Sequence, residues 1–240
     1  MVKAKLMPDH EAPTTFGSEL ICTIVERLEA QYGVPKWRER QDPVDELISC
    51  ILSQHTSDVN SLRAFAELKR AYSTWDDVIN APVEDLAKVI RRGGLANSKA
   101  ARIQQVLLQL IQDQGDTTLA ALHTMTDEEA RLYLMGLPGV GPKTAAIVLC
   151  FALGRNVMPV DTHVFRVSWR LGLIEKKIGE AKAHDALQAL VPEELTYRYH
   201  VATITHGRTV CKAPVPHCPS CVLSDICRWN IYESRSSRSN

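Results

Sequence analysis

The chain has 240 residues, enough for one large domain or two modest ones, and 45% are hydrophobic, so a sizeable core can form. Its 28 Lys and Arg balance 28 Asp and Glu to a formal net charge of zero, which excludes a chain-wide polycation and leaves any phosphate contact to a local basic face. No run of 18 apolar residues excludes a membrane-spanning helix, and the first 15 residues lack an apolar signal core. An intracellular, cytoplasmic protein is therefore expected, whose seven cysteines are not a disulfide framework.

Residues 1–15 are polar and carry two prolines, so they read as a flexible arm. From Ser18, a plausible N-cap, Leu20, Ile21, Ile24, Val25 and Leu28 mark one face of a helix. Residues 35–43 read as a linker. Val44, Leu47, Ile48, Ile51 and Leu52 then share one side of a strongly periodic helix, which stops at the polar run beginning with Ser53. Helical patterns follow over 62–72, 83–91, 98–111 and 127–135, with Gly93-Gly94 as a C-cap. Residues 143–153 are apolar nearly all round and are expected to be buried. Further patterns cover 162–171, 178–190 and 195–207. No stretch alternates like a strand, so the fold class is all-α. Pro159 disfavours helix at the residue before it, which places a break and a domain boundary near Asn156. Cys22, Cys50 and Cys150 sit singly in apolar stretches and read as small core residues. Trp37, Trp75, Trp169 and Trp229 read as packing residues.

The string Leu137-Pro138-Gly139-Val140-Gly141-Pro142-Lys143-Thr144-Ala145 joins two of these helices. Gly139 and Gly141 permit a tight turn and the close approach of another backbone. Pro142 suits a first helical turn, and the free N–H groups of that turn suit an anion such as phosphate. Lys143 lies in the same turn, where the helix dipole disfavours a cation; a neutral amine is a nucleophile that can form a Schiff base. A plain phosphate-contacting lysine is the alternative on local sequence. Asp161 follows 18 residues later in Val160-Asp161-Thr162-His163. Breaking an N-glycosidic bond builds positive charge on the sugar, which a carboxylate can stabilise, although an N-cap to the next helix needs the same residue type. Near the carboxyl end Cys211, Cys218, Cys221 and Cys227 fall within 17 residues, so four thiolates can wrap one metal centre. The spacing by itself does not choose between zinc and an iron–sulfur cluster.

With these motifs in this order, the chain resembles the endonuclease III family of helix-hairpin-helix DNA glycosylases over about residues 18–230. Ile51 to Val59 and Gly94 to Ala100 also match. The resemblance implies two helical domains with a DNA-binding cleft between them: a six-helix bundle bearing the hairpin over 36–155, and a second domain of 16–35 plus 156–230 that holds a [4Fe-4S] cluster on the four cysteines. It implies that Lys143 attacks C1′ with Asp161 as its acidic partner. It implies as partner a duplex with an oxidised pyrimidine or an abasic site, flipped for chemistry, and a monomer suits such a reader. Gln54, His55, Leu137, Gly139, Val140, Gly141 and Lys212 are then expected at the DNA. Residues 231–240 are left as a disordered tail.

The chain departs from the family at several points. His55 stands where relatives commonly carry the glutamine that fills the gap left by the flipped base, with Gln54 just before it. Pro142 replaces a basic residue, Met135 stands where some relatives have glutamate, and the net charge is neutral. Arg91, Arg92, Lys99 and Arg102 flank Gly93-Gly94 and read as a solvated basic face, with DNA contact as the alternative. His163 and His206 read as structural hydrogen-bonders. Two rival functions are a monofunctional mismatch glycosylase and a non-catalytic DNA-binding sensor. The adenine-specific relatives lack the lysine and carry an acid where Ile51 aligns, which disfavours the first, and Lys143 with Asp161 disfavours the second.

Overall fold

In the computed structural model, residues 14–38 and 42–236 are described. Most of the expected arm, residues 1–13, and the last four residues of the expected tail lie outside them. Every regular element among the described residues is helical, and the chain divides into two compact units: residues 36–162 with 180–184, and residues 1–35, 163–179 and 185–240.

In the first unit, α2 (Pro43–Ser53) starts at Asp42, whose carboxylate accepts from the Val44 N–H, with Pro43 in the first turn. Its stripe Val44, Leu47, Ile48, Ile51 and Leu52 is fully buried. It packs against α3 (Asp58–Ala71), and against α8 (Pro142–Ile147) with the π-helical turn Val148–Ala152 that continues α8. Between these lie α4 (Trp75–Asn80), α5 (Val83–Val89), α6 (Ala96–Gln114) and α7 (Asp127–Gly136). Thr74 with Asp77 and Thr126 with Glu129 form capping boxes that fix the starts of α4 and α7. The core is one apolar cluster fed by all of these helices.

The second unit is built on α1 (Thr14–Tyr32) and α11 (Thr196–Thr209), which pack together. Glu29 on α1 accepts two hydrogen bonds from Arg198 on α11, at 2.6 and 2.5 Å. Most of α9 (Thr162–Leu171) belongs here, as do most of α10 (Gly179–Leu190) and α12 (Arg228–Ser236).

Several boundaries differ from the sequence reading. The first helix begins at Thr14, so Ser18 lies inside it. The helix expected over 83–91 closes at Val89, and Arg91–Gly93 forms a separate 3₁₀ turn ended by Gly94 at φ +68°. Residues 231–236, assigned to a tail, continue α12.

Candidate active site

The turn between α7 and α8 is where the glycines matter, and they matter differently. Gly139 has φ +73°, a region that costs an L-residue roughly 1–2 kcal/mol. A Cβ there would also lie 2.4 Å from Arg102 Cδ. Gly141 is extended at φ −102°, and a Cβ on it would meet nothing within 4 Å. The chain's own fold therefore requires glycine at 139, whereas at 141 it leaves open space above the backbone. Leu137 and Val140, expected at the DNA, are 3% and 6% exposed and belong to the core. Their side chains anchor the hairpin, and the Val140 N–H closes the turn on the Leu137 carbonyl at 3.1 Å.

Pro142 occupies the first turn of α8, where its missing N–H removes no helical bond. Lys143 follows it and is exposed. Its ammonium acts on the buried Cys50 of α2: burial and the Glu46 carboxylate push that thiol up, and Lys143 pulls it the other way. Cys50 Sγ lies 3.8 Å from Glu46 Oε1. Lys143 is thus within electrostatic reach of a buried thiol, to which the sequence reading assigned no role beyond packing because a lone cysteine in an apolar run looks like core. Ile51 next to Cys50 is fully buried. Asp161 belongs to the same unit, one residue ahead of α9, and is 8% exposed. Sequence placed it 18 positions from Lys143, and the fold keeps both residues in one body.

The expected DNA-contacting residues after α2 separate into two kinds. Gln54 is held within the protein: its amide donates to the Gly139 carbonyl at 3.2 Å and its Oε1 accepts from Arg102 at 2.9 Å. His55 is exposed with φ +54°. Leu95 has the same unusual backbone, φ +48°, and is 60% exposed. These two are the non-glycine residues of positive φ among the described residues, and such strain gathers at functional positions. Leu95 escaped the sequence reading because a single leucine after two glycines carries no periodicity. The expected basic face holds only in part: Arg91 and Arg92 are exposed, Arg92 pairing with Glu67, whereas Lys99 is 2% exposed and Arg102 lies against the hairpin.

In the other unit Cys211, Cys218, Cys221 and Cys227 line one cavity. Burial pushes the Cys221 thiol up to about 11 and raises Cys227 as well. His206, drawn down to about 4 by burial, places Nε2 3.4 Å from Cys221 Sγ, and its Nδ1 lies 3.0 Å from the Tyr32 hydroxyl. Arg170 is 5% exposed; its Nη1 donates to Cys211 Sγ at 3.4 Å and to the Lys212 carbonyl at 2.9 Å, and its Nη2 to the Pro214 carbonyl at 3.2 Å. As they stand, no three His, Cys, Asp or Glu side chains among the described residues form a group that could hold a single metal ion. Lys212 is exposed on the loop between the first two cysteines. His163, read as structural, contacts Arg166 at 3.0 Å.

Residues 48–193 match the model of the HhH-GPD superfamily of base excision DNA repair proteins. The chain is 35% identical over 211 residues to endonuclease III of Thermotoga maritima, covering 88% of this chain and 92% of that protein. It is 39% identical over 170 residues to an Arabidopsis thaliana protein provisionally named a DNA glycosylase, where the match covers 71% of this chain and only 58% of the plant protein. Among solved structures, an endonuclease III trapped as a covalent intermediate with DNA superposes with a TM-score of 0.75 at 32% identity, covering 90% of this chain and 98% of that one. The chain belongs to the HhH-GPD superfamily and is a base excision DNA repair protein of the endonuclease III type.

Proposed function

We propose that this protein is a bifunctional DNA glycosylase and abasic-site lyase that removes oxidised pyrimidines from duplex DNA, with Lys143 as nucleophile and Asp161 as its acidic partner. The observation that carries the reading is Lys143 itself, an exposed amine one residue past the hairpin in the unit that also holds Asp161. A monofunctional enzyme activates water and needs no amine nucleophile there. In the proposed reaction the deprotonated Lys143 nitrogen bonds to C1′ as the C1′–N bond to the base breaks, and the base leaves with the bonding pair and takes up a proton. Asp161 stabilises the positive charge on the sugar as it develops. The sugar ring then opens to an iminium between Lys143 and C1′. Loss of a C2′ proton expels the 3′ phosphate, and water releases Lys143 from the product.

The hairpin would hold the backbone of the damaged strand, with the open space above Gly141 admitting a phosphate close to the main chain. His55 and Leu95 would enter the duplex where the flipped nucleotide leaves a gap. The four cysteines fit a [4Fe-4S] cluster: four sulfur donors face one cavity without gathering on a single ion. Burial that disfavours the bare thiolates is offset by a cationic centre. Such a cluster would supply a rigid clamp for the 211–227 loop, including Lys212.

The test is strand cutting on duplexes carrying one oxidised pyrimidine. The wild type is expected to break the strand without alkali, and Lys143→Gln is expected not to. Base loss that becomes strand breakage only after alkali, equally in both proteins, would replace this reading with a monofunctional glycosylase.

A further inference from the structure

Lys99 is a lysine where an all-apolar core would put methionine or leucine. Its side chain is 2% exposed, and its Nζ donates to two backbone carbonyls, Leu52 O and Gly93 O, both at 2.7 Å. Those two carbonyls are not arbitrary. Leu52 ends the buried stripe of α2, three residues before His55, and Gly93 ends the 3₁₀ turn two residues before Leu95. The two exposed residues with left-handed backbone are thus each tethered, at the amino-terminal side, to the same ammonium. One helical turn further along α6, Arg102 adds a second tie to the same region by holding Gln54, the residue next to His55.

Burying an ammonium is costly unless its donors are satisfied, and apolar residues of similar volume usually stabilise a core as well or better. A buried lysine that spends its hydrogen bonds on the carbonyls at the ends of two helical elements therefore sets where the loops beyond them begin. Both loops are short. Only Ser53 and Gln54 separate Leu52 from His55, and only Gly94 separates Gly93 from Leu95, so a shift of either carbonyl is passed on to the strained residue beyond it.

We infer that Lys99 is a positioning residue that sets the spacing of His55 and Leu95, so that the two enter damaged duplex DNA as one rigid two-pronged wedge. This rests on the glycosylase reading above. Lys99 touches no DNA in this role, and it acts on recognition of the distorted duplex more than on the bond-breaking step at Lys143.

The experiment compares wild type and Lys99→Met on three DNAs: a duplex with one tetrahydrofuran abasic analogue, the undamaged duplex, and a single strand with one true abasic site. Affinities are measured for the duplexes, and the rate of borohydride capture for the single strand, which has no stack to open. The inference expects Lys99→Met to lose about tenfold or more of the preference for the lesion duplex while single-strand capture stays within twofold of wild type. Preference retained in Lys99→Met, or an equal loss on all three DNAs, would overturn it, the second outcome marking a merely structural residue. If Lys99→Met does not fold, Lys99→Gln, which keeps two N–H donors, is expected to keep part of the preference; full preference or an equal loss on all three DNAs overturns the inference there too. A wild type with no preference for the lesion duplex would instead fail the glycosylase reading, and this inference with it.

Discussion

Replacing Gly139 with alanine loads the hairpin in two ways that can be sized from the structure. The left-handed backbone at φ +73° costs a side-chain-bearing residue about 1–2 kcal/mol. The new Cβ would lie 2.4 Å from Arg102 Cδ and Nε, so that flexible side chain must move. Moving it strains or breaks the Arg102–Gln54 hydrogen bond of 2.9 Å, worth about 1–1.5 kcal/mol at a partly exposed site. The sum is about 3 kcal/mol, which for a chain of this size corresponds to a fall in melting temperature of roughly 6–12 °C. Gly136→Ala is the internal control. Gly136 is helical and a Cβ there meets nothing within 4 Å, so alanine should be neutral or stabilising by up to about 1 kcal/mol. Scanning calorimetry on both variants checks this. A Gly139→Ala protein that melts within a degree of wild type would refute the reasoning, as would a Gly136→Ala protein destabilised to the same extent.

Other perturbations separate stability from function. Gly141→Ala should leave the melting temperature within about 2 °C of wild type, because nothing in the chain opposes the new methyl. Its affinity for abasic-analogue duplex should fall several-fold, read by fluorescence anisotropy, if a phosphate approaches that backbone. Arg170→Leu removes four donated bonds, to Cys211 Sγ and O, Lys212 O and Pro214 O, in a nearly closed site. It should cost about 3 kcal/mol and, with the proposed cluster on the four cysteines, speed iron loss to a chelator, followed by iron content and visible absorbance. Thr126→Ala breaks the capping box of α7 with Glu129 and should lower stability by about 1 kcal/mol in urea denaturation without changing strand cutting.

The fold was legible where apolar residues repeat every third or fourth position. Val44 to Leu52 announced α2, and its stripe is fully buried. The hairpin was legible because Gly, Pro and Lys each impose a backbone or chemical requirement that few other residues meet. Short elements were harder: α4 has six residues, too few for a period, and its capping box of Thr74 and Asp77 emerges only in the structure. Two glycines in one hairpin looked equivalent in sequence, and only the dihedrals distinguish the one that the turn needs from the one that leaves room. Lys99 and Arg102 looked like a basic surface because charge says nothing about burial. Their partners, Leu52, Gly93 and Gln54, are supplied by other segments of the fold. The same long-range logic hid the link between Cys50 and Lys143, which arises only when α2 packs on α8.

The chemistry assigned to Lys143 can be met head-on with borohydride, which reduces an imine and fixes the protein to the sugar carbon. Wild type, Lys143→Gln and Asp161→Asn would each be mixed with a duplex holding one abasic site, reduced, and run on a denaturing gel. The account predicts a covalent protein–DNA band with wild type, a weaker one with Asp161→Asn, and none with Lys143→Gln, while all three still bind the duplex. A band of equal strength with Lys143→Gln, or none with a wild type that binds the abasic duplex, would contradict it.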